Sequence, residues 1–407
     1  MNQYFGLDTL MAANGITTSK AFDAYYIALL SRRENQNLNI VGFEKWDIPQ
    51  IDFTYNMLEA EQRISVMATV LDLNSEPIPI GTKGFNVLSG SIPRQKARWE
   101  RGENDYRKEL ITIQNLKVRG AFLNESPAES IQNYLNELLF GGLSEIQEAH
   151  KGRLSYMVGQ MKSAGAYTLT DTDNPRGIQG ITFSAQIPAG NIKQLKNNDR
   201  WFTDADKTTE GASSHPVKDL KTLVRDARDE YKGLPVTVEV NETSFFEDMQ
   251  HSDWLIALGY AMSPDLIKYA GVGDPGKATA TAIAQAATDD EVKAAFKKVI
   301  GADEVIYNKT ICGVEVWDAD TKKLKINTMP AFNKNVYLVR PSGAVGVMKN
   351  VVPLRPDGSA ISAQIFSGHG IIEYRYNEVT KTQDWVSELT ALPVPTQPRT
   401  LYLLKIM

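Results

Sequence analysis

The stretch GVGDPGKAT places Gly271, Gly276 and Lys277 at the spacing of a loop whose backbone N–H groups cradle phosphates. Ala278 stands where a Ser or Thr would hold magnesium, and Pro275 removes one N–H from the cradle. The residues ahead of it, SPDLIKYA, make a poor buried strand, which such a loop should leave. A surface loop before a helix is the simpler reading. Carboxylate pairs occur at Asp204/Asp206 and Asp289/Asp290. Acid–base work needs such pairs in a cleft with shifted pKa values, whereas a solvated loop and a helix N-terminus account for these two. Asp171, Asp173 and Asn174 open like a calcium loop but lack the Gly and the downstream Glu it requires, so a turn is expected. Cys312, in VIYNKTICGVEVW, reads as a buried thiol rather than a nucleophile. His150, His215, His251 and His369 are scattered, and no Gly-x-Ser-x-Gly elbow is present. No catalytic residue, cofactor site or metal site is expected. An enzyme of the nucleotide-binding class is the competing reading, and it rests on residues 271–278 alone.

The remaining chemistry is recognition. In SIPRQKARWERGENDYRKEL, Arg94, Lys96, Arg98 and Arg101 alternate with small or aromatic residues and surround Trp99. Cations beside a stacking ring could meet nucleic acid. Glu100, Glu103 and Asp105 follow at once, and mixed charge suits a protein partner of complementary charge. Residues 94–119 hold eight Lys/Arg and four Asp/Glu, too charged to bury alone.

Elements must position this stretch. Pro77, Pro79, Gly81, Gly84, Gly90 and Pro93 punctuate two extended runs, 69–80 and 85–99, which read as a long β-hairpin after a strand over 63–73. Such a hairpin is marginal alone in water and must lie on something else. Upstream, Phe22, Tyr25, Tyr26, Leu29 and Leu30 recur at helical spacing after a Ser19 cap. Residues 126–164 form the clearest helix, opened by the capping-box pattern Ser126–Glu129 with Pro127 at the first position and closed at Gly165. Gly141 and Gly142 fall where it would break or kink; unbroken, it is a rod of ~58 Å. A turn at DTDNPRG separates two short strands. Residues 217–345 alternate helices (217–231, near 242–261 and 279–300) with strands (LPVTVEV, near 304–317 and 335–348), and the chain returns to β character over 346–407.

Composition sets the bounds. The 407 residues exceed one small core, and 42% hydrophobic with 23% charged content is ordinary for a globular chain. A net charge of −5 argues against a dedicated nucleic-acid binder. One cysteine permits no disulfide framework within the chain. No run approaches the ~18 apolar residues of a membrane span, and MNQYFGLDTLMAANG is not a signal peptide.

The order of parts resembles the major capsid protein of tailed bacteriophages, with its Hong Kong 97-type fold. Several stretches are similar to the lambda-type coat protein (phage capsid protein E) family. They are TVLDLNSEPIPIGTKGF before the arm, MKSAGAYTLTDTDNP at the helix end, WFTDADKTTEGASSHPVKDL with Trp201, Pro216, Asp219 and Leu220, and SELTALPVPTQPRTLYLLKIM at the close. The resemblance implies an α+β fold with an N-terminal arm (1–60), an extended E-loop with flanking strands (61–120) and a P-domain with spine helix and β-hairpin (121–216). An α/β A-domain (217–345) and a return to P-domain strands (346–407) complete it. It implies a non-enzymatic coat subunit that forms hexamers and pentamers and closes an icosahedral head around double-stranded DNA. The protein would be assembled in the host cytoplasm and located in the virion, without a membrane. Portal and scaffold proteins and a decoration protein are the implied partners. A tail or portal-ring subunit is the structural alternative; a tail tube should be mostly β. Arg94, Lys96, Arg98, Trp99 and Arg101 are the implied intersubunit contacts of the E-loop. Some relatives crosslink a loop lysine to an asparagine; Lys83 and Lys96 lie in that region, but no pairing carries over and no crosslink is expected.

Overall fold

The structure is a computed structural model that describes residues 40–60, 85–101, 107–108, 111, 115, 127–175, 177–231, 233–265, 274–318, 323–353, 362–377 and 382–407. The expected helix after Ser19, the strand over 63–73, the run 69–80, Ser126 and Lys83 lie outside the described residues.

Two sheets and one long helix form the body. The helix, α1, runs Pro127–Ser163, about 55 Å at 1.5 Å per residue. It passes through Gly141 and Gly142 without interruption, so the expected break is absent. Each mid-helix glycine costs only about 1 kcal/mol against alanine, which the hydrogen-bond ladder of the flanking turns absorbs. Gly165 ends the run at φ +77°, the left-handed conformation that a stop there requires.

The first sheet has the order β6 (Ile192–Gln194), β16 (Tyr402–Lys405), β11 (Val336–Pro341), β7 (Val236–Asn241) and β8 (Glu304–Asn308). Strand β7 (VTVEVN) is buried at every position and β11 (VYLVRP) at all but its last, so Thr237, Glu239, Asn241 and Arg340 are buried polar groups among apolar neighbours. Helices α2 (Pro216–Glu230), α3 (Glu242–Asp248), α4 (Ser252–Met262), α5 (Asp274–Ala286) and α6 (Asp289–Ile300) accompany it. Phe245, Trp254, Phe296 and Tyr337 fill the core between helices and sheet. Thr288 and Glu291 close a capping box at the start of α6. Two of its strands come from outside 217–345: β6 from before residue 217 and β16 from the C-terminal stretch. Strand β16 pairs parallel with β6 and antiparallel with β11, contacts that no local pattern marks.

The second sheet is antiparallel, in the order β12 (Gly346–Asn350), β15 (Thr382–Pro395), β14 (Gly370–Asn377) and β13 (Ser362–Ile365). Helix α1 lies between the two sheets. Its Leu154 and Val158 join a core with Leu338 and Leu403 of the first sheet and Met348 and Leu389 of the second. A Cβ on Gly159 would sit 2.2 Å from the Ala331 carbonyl oxygen. Gly159→Ala is therefore expected to push α1 off the 330–332 segment and cost roughly 1–3 kcal/mol, measurable by urea denaturation.

Two ribbons complete the fold. One pairs β1 (Thr54–Ala60) with β2 (Phe85–Ser91), from Thr54 opposite Ser91 to Ala60 opposite Phe85. The other pairs β9 (Ile311–Asp318) with β10 (Lys323–Pro330). Strands β4 (Ala166–Thr168) and β5 (Thr182–Ser184) flank the DTDNPRG turn. There Asp173 is buried and accepts from the Thr170 N–H (2.6 Å) and from Arg153 Nη1 (3.4 Å). Its carboxylate closes the turn.

Candidate functional site

The arm begins as a strap. Residues 40–53 run beside β12, with parallel bridges from Trp46 to Met348 and Gln50 to Val351. Trp46 stacks on His369 with ring centroids 4.4 Å apart and planes 9° from parallel, and Lys349 pairs with Asp47. From this strap the β1–β2 ladder departs. Tyr55 and Ile92 root it, buried with Met157 and Met161 of α1, Tyr167 and Phe183. The Tyr55 ring fits only because Gly90 lies opposite; a Cβ there would meet the ring at 2.8 Å. Farther out, Gln186 Nε2 donates to Ser89 O (2.9 Å) and Val87 is 62% exposed. Among the described residues the paired legs of the arm are 54–60 and 85–91, and the expected leg 85–99 divides at Ile92 and Pro93 into two strands.

The basic stretch does something else. After Ile92 and Pro93 the chain enters β3 (Arg94–Arg101), which pairs antiparallel with β15 over eight residues, Arg94 opposite Thr390 to Arg101 opposite Gln383. Arg94 pairs with Glu388, Lys96 lies 3.9 Å from the same carboxylate, and Arg98 Nη2 reaches Asp384 at 2.7 Å. The register sets Trp99 opposite the fully buried Trp385, whose own neighbour across the next ladder is Tyr374. An aromatic row therefore crosses three strands. The strand that carries Arg94, Lys96, Arg98, Trp99 and Arg101, the expected intersubunit contacts, is stitched into the chain's own sheet. The matching acids lie on a strand some 290 positions away, beyond the reach of any spacing rule. The missed signal was period two. Gln95, Ala97 and Trp99 are partly buried while Arg94, Lys96, Arg98 and Glu100 are exposed, the alternation of a half-buried strand. Arg98→Glu is expected to loosen β3 by about 1 kcal/mol, since the pair is half exposed. Adding Asp384→Arg should restore the loss in urea denaturation.

Helix α1 holds β3 from beneath. His150 Nε2 lies 2.7 Å from Ser387 Oγ, and Gln95 Nε2 donates to Met157 Sδ (3.4 Å). Burial pushes the His150 imidazole down to about 4, so it stays neutral in the folded chain. A depressed histidine favours the fold above its unfolded value and withdraws that support as pH falls. The loss runs from about 6.5 toward 4 and approaches roughly 3 kcal/mol. Asp248 opposes it, because burial raises its carboxyl to about 6, a contribution gained as pH falls. The clean readout is a difference: stability between pH 7 and 4.5 should fall more steeply for the unaltered chain than for His150→Gln.

At its C-terminal end α1 is locked to the first sheet by charge. Lys162 Nζ donates to both oxygens of Glu239 at 3.1 Å, and Arg340 Nε donates to the same carboxylate. Arg340 Nη1 also donates to the carbonyls of Pro341 (2.9 Å) and Gly343 (3.0 Å). All three side chains are at most 3% exposed. Burial alone would raise the Glu239 carboxyl; the two cations more than reverse that and hold it below its ordinary value.

The other candidate residues take structural places. Lys277 is exposed near the start of α5, and residues 266–273, which include Gly271, lie outside the described residues. Asp204 accepts from the Thr208 and Thr209 N–H groups and closes its own turn. Asp289 and Asp290 occupy the first turn of α6. Cys312 is buried, its thiol pushed up to about 11. Among the described residues, no group of three or more His, Cys, Asp or Glu could hold a metal ion. Among them too, no helix is long and apolar enough to cross a membrane.

No protein-family model matches the sequence, and no curated protein matches it. Solved structures do. A phage-related protein from Bordetella bronchiseptica RB50 aligns over 92% of this chain and 94% of its own, at 13% identity and a TM-score of 0.41. The mature capsid of bacteriophage PhiM1 aligns over 90% of this chain and 86% of its own, at 12% identity and a TM-score of 0.39. The capsid of Staphylococcus phage Andhra aligns over 91% and 84%, at 10% identity and a TM-score of 0.39. These are loose superpositions.

Proposed function

We propose that this chain is the major capsid subunit of a tailed bacteriophage, with a structural role and no catalysis of its own. It would assemble through hexameric and pentameric capsomers into an icosahedral shell around double-stranded DNA. One observation carries the reading. A two-stranded arm is rooted in the core by Tyr55 and Ile92 and carries the exposed Val87 farther along, beside a helix of about 55 Å clamped between two sheets. A two-stranded ladder is marginal in water by itself. On a neighbouring copy it gains the apolar cover it lacks, and an extended element supplies much of the ~800 Å² per partner of a standard interface. The PhiM1 and Andhra structures carry the capsid role in their names; the support for this chain comes from its own elements.

In this reading the arm's intersubunit contact belongs to 54–91, and β3 is its root. Arg94, Lys96 and Arg98, each about half exposed, serve as rim cations for a neighbour's acids. The virion is the location and host cytoplasm the place of assembly, with portal, scaffold and decoration proteins as further partners. Packaged DNA would be a non-specific cargo, as a net charge of −5 suits a container rather than a tight binder. Electron microscopy of the purified chain tests the proposal. Rings of five or six copies, or closed shells, are expected. Monomers alone under every assembly condition would remove it.

A further inference from the structure

Residues 203–214, TDADKTTEGASS, contain no apolar side chain larger than alanine, so apolar burial cannot hold them in place. Polar side chains do. Lys207 Nζ, on a side chain only 5% exposed, donates to Asp248 Oδ1 (2.5 Å) and Ser244 Oγ (2.9 Å) of α3. The Glu210 carboxylate accepts from the Ser252 N–H and from its hydroxyl, both at 2.6 Å, where α4 begins. Ser214 Oγ lies 2.9 Å from Nε2 of the buried His251. The segment is thus fastened at three points over the corner between α3 and α4. Lys207 takes a φ of +54° there, a left-handed backbone that is costly for a residue with a Cβ and that opening would relieve.

Serine, histidine and glutamate together suggest a hydrolase, but the imidazole is turned the wrong way. The Asp253 N–H donates to His251 Nδ1 (3.2 Å), which caps α4. Nδ1 therefore carries the lone pair, and the one proton of the neutral ring sits on Nε2. From Nε2 it is donated to Ser214 Oγ, and the Ser214 hydroxyl donates onward to Gly211 O (2.7 Å). No lone pair is left to take a proton from the serine. The same arrangement has no place for a second proton on the ring. At Nδ1 it would confront the Asp253 N–H and undo the cap.

We propose that residues 203–214 are an acid-released clasp, closed over the α3–α4 corner while His251 is neutral and let go when its imidazole takes a second proton. The charged groups around the ring are Glu210 of the clasp, 3.8 Å from Nε2, and Asp253 of α4, with the exposed His215 3.8 Å from Asp253. Burial holds the His251 imidazole below its ordinary value; Glu210 and Asp253 oppose that shift and His215 adds to it. A histidine depressed in the closed form favours closure above its free value of 6.5 and withdraws that support as pH falls below it. Asp248 has the opposite sign, because burial raises its carboxyl to about 6 and its proton favours the buried, closed site.

Hydrogen exchange of the full chain tests the clasp, read as protection factors so that the intrinsic pH dependence of exchange drops out. The N–H groups of Gly211, Ser213, Ser214, Ser252 and Asp253 are bonded at the clasp or its cap. Between about pH 7 and 5 their protection should fall by up to about tenfold per pH unit, the limit for one proton, while that of β7 holds. Protection that stays level overturns the proposal. His251→Asn keeps a capping acceptor that does not titrate and should flatten the response; a fall equal to that of the unaltered chain overturns His251 as the switch. Asp248→Asn should keep the fall, and its loss there would move the switch to Asp248 and overturn the proposal. Ring nitrogen shifts of His251 in the unaltered chain need no variant. They should place the neutral ring's proton on Nε2; a proton on Nδ1 overturns the clasp.

Discussion

Glu239→Ala is expected to cost about 3–5 kcal/mol of folding stability, the largest single-residue effect foreseen in this chain. The reason is asymmetry. Lys162 and Arg340 converge on one carboxylate in a site closed to water, one from α1 and the other from β11. Removing the acid leaves two buried cations facing each other with no counter-charge. Neither can recover its hydration without opening the seam between the helix and the first sheet. The pair as a whole need not be stabilising. Replacing all three by apolar residues of similar size (Lys162→Met, Glu239→Leu, Arg340→Met) should come close to neutral, because it removes the desolvation cost together with the attraction. Urea denaturation of the single and triple variants measures both. A Glu239→Ala chain as stable as the unaltered one would show that water reaches the seam. The lock bears on assembly, because it keeps the long helix in register with the sheet that α2 to α6 accompany.

Excising the arm should separate folding from assembly. Residues 56–89 can be replaced by a short Gly-Ser linker, since Tyr55 and Gly90 are already paired across the ladder. Tyr55 and Ile92 stay, so the buried members of the cluster beneath α1 are kept, while Met57, which packs on it, and the buried Leu88 are lost. The shortened chain should still fold, at a cost of roughly 1.5–3 kcal/mol for the apolar area given up. Particle formation should be lost, because the excised ladder is the contact that the capsid reading assigns to a neighbouring copy. Circular dichroism, a thermal melt and negative-stain images give the result together. Particles at normal yield from the excised chain would remove the arm from the assembly mechanism.

The basic stretch shows where reading the sequence succeeds and where it stops. The alternation in RQKARWER is visible in the residues themselves, and it marks a strand with a wet face and a half-buried face. What lies under the buried face is not visible. Trp99 reads as a stacking ring for a partner until the register places it opposite Trp385, and Arg98 reads as a free cation until Asp384 stands beside it. The near-match at 271–278 is weakened by its own residues. Its glycines and lysine have the right spacing, but Ala278 stands in the magnesium-binding place and Pro275 removes an N–H from the cradle.

By itself the sequence determined everything that depends on neighbours a few positions apart. Helix α1 and its end at Gly165, the capping box of α6 and the turn closed by Asp173 all follow from spacings of two to four residues, whereas VTVEVN alternates like a half-exposed strand and its full burial was decided by the fold. Tertiary structure alone decided the rest. It joined β16 to β6, drew Lys162 and Arg340 onto Glu239, laid β3 along β15 and paired 54–60 with 85–91. Those pairings join positions far apart along the chain, where the partner is selected by shape, register and charge once the chain has closed. The short-range preferences that make helices and turns legible carry no information about that selection.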